Sequence, residues 1–246
     1  MDQVVKMVIE YDGTNFFGWQ RQPKARSVQG DIERVLTKIF KKEIQIDGAG
    51  RTDAGVHAYG QVATFKSNIP MPLENLKRAL NNFLSEDIRI LTLSFEAETF
   101  HARYSAKGKT YVYKVLNTVD RDVFTSHYAY YYPYEVKEEL MLEAISYFIG
   151  EHDFTSFMAS GSSAQNPVRI IHDIMLKRNG DNLELIYTGN GFLYKMVRII
   201  TGYLLEVGQG KILPGKTLEL FENPTRKYTT KIAPAEGLYL KEVYYD

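Results

Sequence analysis

A chain of 246 residues with 44% hydrophobic content and balanced charge, 30 Lys+Arg against 30 Asp+Glu, is long enough for two packed subdomains and too apolar to be disordered. It contains no cysteine, which excludes a disulfide framework, a thiolate zinc site and a cysteine nucleophile. Residues 1–6 carry no apolar signal-peptide core and the longest apolar runs are strand-sized, so the expectation is a cytoplasmic protein with no membrane helix.

Residues 4–11 read as a first strand that ends on the turn pair Asp12-Gly13. A loop over 18–25 holds Trp19, the only tryptophan. Ser27 can cap a helix in which Val28, Ile32, Val35, Leu36, Ile39 and Phe40 follow the 3.6-residue period. Ile44 and Ile46 mark a short strand, small residues fill 48–55, and 61–66 is strand-like. Leu73, Leu76 and Leu80 share one side of a helix over 73–83, and 88–95 closes this half as a strand. The pattern then recurs. Residues 110–117 alternate as a strand, with Tyr111, Tyr113 and Val115 on one face. A helix is expected over 136–149, and strands over 168–177 and 183–188 flank the hairpin signal Asn179-Gly180. A long helix over 193–207 and a strand over 238–244 complete the chain. Seen twice, the β-α-β-β order predicts an α+β fold of two similar halves, 1–105 and 106–246, each an antiparallel sheet with flanking helices.

Net charge is silent about partners, but its distribution is not. Between residues 21 and 42 lie Arg21, Lys24, Arg26, Arg34, Lys38, Lys41 and Lys42 against only Asp31 and Glu33. This is either a basic face for a folded RNA or an ordinary solvated helix face. Arg21, Lys24 and Arg26 are the candidate RNA-binding residues.

Three segments can carry chemistry. In Gly48-Ala49-Gly50-Arg51-Thr52-Asp53-Ala54-Gly55-Val56-His57 small residues surround one arginine and one aspartate. Such a loop either grips a ligand through close backbone approach or is a plain β-turn with Asp53 as an Asx cap. The helix over 193–207 is apolar on nearly every side, with a main stripe of Leu193, Met196, Val197, Ile200, Leu204 and Val207. Arg198, on the opposite face with Tyr194 and Leu205, then either meets an anionic partner in the interior or snorkels to solvent. Tyr111 and Tyr113 are either sheet core or a platform for an extruded base. His57 and His101 read as structural rather than as acids or bases.

These residues carry a resemblance. Gly-Arg-Thr-Asp-Ala-Gly-Val-His at 50–57, Phe-His-Ala-Arg at 100–103, Tyr-Val-Tyr at 111–113, Phe-Leu-Tyr-Lys-Met-Val-Arg at 192–198 and Ala-Pro-Ala-Glu-Gly-Leu-Tyr-Leu at 233–240 resemble the tRNA pseudouridine synthase A family in order and spacing. The opening Tyr-Asp-Gly-Thr, Gly-Trp-Gln and Ser-Val-Gln-Gly fit as well, so the resemblance spans essentially the whole chain. Ala235 and Lys195 depart from the family's usual residues, and neither falls on a catalytic position. The resemblance implies the pseudouridine synthase fold, with the two sheets joined into one and an active-site cleft between the halves. It also implies isomerisation of uridine at tRNA positions 38, 39 and 40, a homodimer that contacts one tRNA through both subunits, and no cofactor or metal. Asp53 would be the essential carboxylate, Tyr111 the active-site tyrosine, Arg198 the basic partner of Asp53, and Arg51 a holder of the flipped nucleotide or its phosphate.

Two rivals remain. Glu10-Tyr11-Asp12-Gly13-Thr14 has the form of an aspartyl-phosphate phosphatase signature, but Glu10 occupies the nucleophile position and no later acidic magnesium cluster follows. A catalytically silent RNA-binding protein on the same fold would not need Asp53, Tyr111 and Arg198 together.

Overall fold

The computed structural model describes residues 3–68, 70–161, 165–225 and 231–245. In chain order the described elements are β1 (Gln3–Tyr11), α1 (Val28–Phe40), β2 (Asp47–Gly48), β3 (His57–Ser67), α2 (Leu73–Phe83), β4 (Ile88–Glu96), β5 (Gly108–Leu116), β6 (Tyr130–Tyr131), α3 (Glu138–Ser146), β7 (Gly150–Asp153), β8 (Val168–Asn179), β9 (Asn182–Gly189), α4 (Met196–Gly208), α5 (Lys216–Glu222) and β10 (Leu238–Tyr244). The architecture is α+β, and the chain divides into two compact units, Met1–Lys107 with Tyr239–Asp246, and Gly108–Leu238. The final strand therefore belongs mostly to the first unit, whereas the sequence reading placed all of 106–246 in the second half. No described helix is long and apolar enough to cross a membrane.

In the first unit β1 lies between β4 and β3, antiparallel to both, with Met7 opposite Ala63 and Leu93. Val5, Met7, Ile9 and Tyr11 are buried and alternate with half-buried Lys6, Val8 and Glu10, the period-2 pattern of a strand with one face on a core. Beyond β3 the sheet edge is shared. β10 runs parallel to β3 at His57 and Ala58, and β2 runs antiparallel to it at Ala63 and Thr64. Serine 27 caps α1 as expected, its hydroxyl accepting from the Gly30 N–H, and the helix buries Val28, Ile32, Val35 and Leu36. Ile44 and Ile46 are buried but not in a strand. The Ile46 N–H donates to Glu33 Oε1 (3.0 Å) and its carbonyl accepts from Gln29 Nε2 (2.9 Å), so side chains of α1 replace the neighbouring strand that the sequence reading expected.

In the second unit β5, β9, β8 and β7 pair antiparallel in that order, and β6 adds to β5 in parallel. Each unit's strands thus include one parallel pairing among antiparallel ones, so the sheet is mixed where the sequence reading expected antiparallel pairing. The β8–β9 hairpin closes at Asn179 and Asn182, with Gly180 in the left-handed region at φ 57°, as an Asn-Gly signal requires. Every residue of α4 except Arg198 and Glu206 is buried. An aromatic cluster packs beside it, with Phe148 against Phe157 (ring centroids 4.9 Å apart) and Phe157 against Tyr203 (5.4 Å), both edge-to-face.

Arg26 ties α1 to the turn before β4. Its Nη1 and Nη2 donate to the two carboxylate oxygens of Asp87 at 2.7 and 2.8 Å, and its Nε to Asp31 at 3.0 Å. The guanidinium also lies 4.1 Å from the Phe16 ring centroid. Partial burial alone would raise the Asp87 carboxyl, but hydrogen bonds from Arg26 and Ser85 outweigh it and hold it below the ordinary carboxylate value. A folded-state value below the unfolded one means stability that is present above the unfolded pKa and lost as pH falls through the folded one. The urea midpoint of the wild type should therefore drop on acidification below about pH 4, the ordinary Asp value. Asp87→Asn should start lower at neutral pH and lose less over the same range. Equal acid losses in both proteins would contradict this account.

Candidate active site

Asp53 lies in the loop that joins β2 to β3. Locally the loop ends in a β-turn: the Val56 N–H donates to the Asp53 carbonyl at 3.2 Å, and Gly55 takes φ 77° at the third position. A β-turn is thus present at 53–56, but the turn alone does not account for how the rest of the loop is held. Ala49 N–H donates to Val62 O (2.7 Å), Gln61 Nε2 to Gly50 O (2.9 Å), Trp19 N–H to Thr52 O (3.1 Å) and Gly55 N–H to Phe16 O (3.2 Å). The Thr52 hydroxyl bonds to that of Tyr11 at 2.8 Å inside the core. Backbone groups of Ala49, Gly50, Thr52 and Gly55 are thus fixed by partners outside the loop, while Asp53 stays half-buried and Arg51 is exposed.

Glycines make this grip possible. A β-carbon on Gly13 would lie 2.0 Å from the Val56 carbonyl oxygen, and one on Gly18, at φ 91°, 2.5 Å from that of Thr52. The segment 13–19 therefore runs in direct contact with the Asp53 loop. On its other side, a β-carbon on Gly48 would meet the Trp19 indole nitrogen at 2.5 Å. Gly48→Ala should overpack this contact and cost about 1–3 kcal/mol of stability. Because Trp19 is the only tryptophan, its emission reports on the site directly. An unshifted spectrum with an unchanged denaturation midpoint would show that the indole yields freely.

His57, buried directly after the loop, accepts from the Gly13 N–H through Nδ1 at 3.0 Å. Asp12 Oδ1 is 3.2 Å from the same nitrogen. The two contacts compete, because a backbone N–H can only donate. The Gly13 bond occupies the Nδ1 lone pair, so no ion pair with Asp12 runs through that atom. The ring stacks on Tyr239 (4.6 Å), which stacks on Tyr59 (4.9 Å). His101 accepts from the Arg103 N–H at 3.0 Å. Both histidines are built into the scaffold.

Of the three cations expected to meet RNA, Arg26 is committed to Asp31, Asp87 and Ser85. Arg21 is exposed but reaches Glu33 at 2.8 Å. Lys24 is exposed. Further along the basic stretch Arg34 pairs with Asp31 at 2.6 Å, and Lys38 caps the Phe83 ring at 3.9 Å.

The second unit holds Tyr111, Tyr113 and Arg198. Tyr111 is buried on β5 opposite Tyr187, its ring edge-on to Phe192 at 5.2 Å. Tyr113 donates from its hydroxyl to Pro234 O at 2.7 Å. Burial, and then the negative charge of Glu236, push its pKa well above the ordinary tyrosine value, with Arg198 opposing. It therefore stays a neutral phenol and gives up its proton with difficulty. α4 begins at Met196 rather than at residue 193, after Lys195 in the left-handed region at φ 57°. Tyr194 is consequently exposed in the preceding turn. Arg198 is half-buried. Its Nε donates to Ala233 O at 2.8 Å, and the Ala233 N–H returns to Arg198 O at 3.0 Å. Anchoring Nε fixes the plane in which the two terminal guanidinium nitrogens lie. Gly202 and Gly237 let the 231–237 segment approach: a β-carbon on Gly202 would lie 1.7 Å from Lys231 O, and one on Gly237 2.7 Å from the Tyr113 ring.

Sequence reasoning gave Gly13 only a turn and no role at the site to Gly18, Trp19, Gln61, Gly202 or Gly237. Their signal was present in the Tyr-Asp-Gly-Thr, Gly-Trp-Gln and Ala-Glu-Gly fragments, but which backbone each approaches is settled only by tertiary packing. Among the described residues no three His, Asp or Glu side chains come together as metal ligands.

A sequence model of the family described as tRNA pseudouridine synthase matches residues 7–105 and 144–246. The chain is 47% identical to tRNA pseudouridine synthase A of Geobacillus sp. (strain WCH70), over 100% of both chains. It is 46% identical to proteins of the same name from Bacillus pumilus and Acetivibrio thermocellus, covering 98% of this chain and 99% of each relative.

Proposed function

The chain belongs to the tRNA pseudouridine synthase family, which isomerises uridine to pseudouridine in tRNA, and from that premise we propose that it acts at positions 38, 39 and 40 of the anticodon stem-loop with Asp53 as its essential carboxylate. The observation that carries the assignment is the Asp53 loop itself. Its peptides are fixed by Phe16, Trp19, Gln61 and Val62, while its one acidic side chain is left partly accessible. A carboxylate on an immobilised backbone is pre-positioned, which is what proximity and electrostatic catalysis need.

The isomerisation breaks the N1–C1′ bond, turns the uracil and joins C5 to C1′; C5 loses a proton and N1 gains one, so no redox partner or external group enters. An ionised carboxylate can attack C1′ or C6, or remove a sugar proton to give a glycal. In this reading Arg198 is the basic partner of Asp53, Tyr111 packs beneath the uracil, and Arg51 holds the flipped nucleotide or its phosphate. Extruding the base costs a few kcal/mol, which exposed cations such as Arg21 and Lys24 offset through phosphate contacts. The same reading makes the enzyme a cytoplasmic homodimer that needs no cofactor.

The test is an unmodified tRNA transcript incubated with the protein and mapped for pseudouridine. Modification confined to 38, 39 and 40 is the expected result. Binding without modification would favour a silent RNA-binding protein. Activity should survive EDTA, apart from effects on tRNA folding; a zinc requirement that magnesium cannot replace would contradict the mechanism. Sedimentation of the free protein checks the dimer.

A further inference from the structure

Phe17 is placed oddly for a large apolar side chain. It is 62% exposed, while Phe16 and Trp19 near it are buried. Single exposed apolar residues are common and most do nothing. Phe17 differs in how it is held. Its N–H donates to Arg26 O at 2.9 Å, and its carbonyl accepts from Gln22 Nε2 at 3.1 Å. Phe16 lies under the Arg26 guanidinium, itself fixed by Asp31 and Asp87. On the other side, a β-carbon on Gly18 would lie 2.5 Å from Thr52 O and 3.1 Å from the Asp53 carbonyl carbon. Phe16 O takes the Gly55 N–H at 3.2 Å, and Trp19 N–H reaches Thr52 O at 3.1 Å. The segment thus brackets Asp53 and presents one aromatic ring outward where the two backbones meet. Exposed Arg21 and Lys24 follow on the same loop. An exposed aromatic ring on a fixed backbone, in a loop that also carries an exposed cation, Lys24, is an arrangement that suits an unstacked nucleotide.

We propose that Phe17 is a substrate-positioning residue whose ring stacks on a nucleobase flanking the uridine presented to Asp53, holding that strand open while the target base is out of the stack. The inference rests on Asp53 being the catalytic carboxylate. A base must leave its neighbours before it can be turned, and a ring that replaces the lost stacking partner lowers that cost. Stacking tolerates any sequence, because every base has a π-face.

The experiment compares Phe17→Ala, Phe17→Leu and Phe17→Trp with the wild type. It measures kcat/KM on the unmodified transcript, and the fluorescence change of an anticodon stem-loop carrying 2-aminopurine next to the target uridine. Thermal midpoints should stay at the wild-type value, since the side chain is exposed. Phe17→Ala and Phe17→Leu should both lower kcat/KM by roughly tenfold to a hundredfold and diminish the fluorescence change, and Phe17→Trp should restore most of each. A leucine variant as active as the tryptophan variant would overturn the stacking role in favour of apolar bulk. A shift in oligomeric state with tRNA kinetics intact would overturn it in favour of a contact between copies. Asp53→Asn, run in parallel, separates the two assignments. If it is inactive while Phe17→Ala is unaffected, only the stacking inference fails. If it is active, the premise fails and the inference with it.

Discussion

Asp53→Asn should abolish turnover while leaving the fold and most of the tRNA affinity in place. The argument starts from how the loop is held. Its anchoring bonds use the backbone of Ala49, Gly50, Thr52, Asp53 and Gly55 and the hydroxyl of Thr52. An isosteric amide at 53 alters none of these groups, so the unfolding free energy should fall by no more than about 1 kcal/mol, an ordinary single-substitution loss. The amide is neither a nucleophile toward C1′ or C6 nor a base toward a sugar proton, so each chemical route loses its essential group together. Removing a positioned acid–base group costs about 10²–10⁴ in rate, and removing a nucleophile costs at least as much. Single-turnover conversion of a transcript tritiated at C5 of uridine gives the readout. A residual rate above about one percent of wild type, the small end of that range, would show that Asp53 does not carry the reaction.

What the sequence makes legible is whatever an element's own periodicity decides. The helix over 73–83 is found at Leu73–Phe83, because Leu76 and Leu80 at a four-residue spacing need one buried face. The hairpin at 179–182 was equally visible, since Gly180 supplies the positive φ the turn demands. Elements decided by a distant partner were not. Ile44 and Ile46 have a strand's spacing, yet Gln29 and Glu33 of α1 satisfy the Ile46 peptide groups. β10 pairs with His57 and Ala58 in the first unit, a parallel register that no local pattern encodes. α4 starts three residues late because Lys195 adopts the left-handed region just before it.

The candidate site divides along the same line. The composition of 48–57 marks a loop of small residues around one carboxylate, and the family resemblance singles out Asp53 within it. Neither shows that Gly13 and Gly18 are glycines because the carbonyls of Val56 and Thr52 occupy the space a β-carbon would take. Charge was the least informative signal. Arg21, Arg26 and Arg34 look like one basic face in the sequence, but each meets a carboxylate within 3.0 Å. Exposed Lys24 stands apart from these pairs.

Arg198 carries the second large effect. α4 is buried at every position but this one and Glu206, and Arg198 Nε is bonded to Ala233 O at 2.8 Å. Arg198→Lys keeps the charge but loses the planar fork, so a single ammonium must serve both the Ala233 carbonyl and any carboxylate. The variant should be folded, with kcat reduced about tenfold to a hundredfold, one to two tenfold steps in barrier. Arg198→Ala removes the charge and the staple together. It should lower kcat about 10²–10³-fold, the loss seen when one preorganised electrostatic group is removed. It should also cost about 1–3 kcal/mol of stability, because Ala233 O is left unsatisfied. A merely structural staple would produce the second effect without the first. A double-mutant cycle on unfolding free energy isolates the electrostatic part. If Arg198 is the counter-ion of Asp53, then Arg198→Ala should be less costly in the Asp53→Asn background, where no carboxylate is left unpaired. Strictly additive costs, with Arg198→Lys as damaged as Arg198→Ala, would assign this arginine to the Ala233 contact alone and overturn the pairing with Asp53.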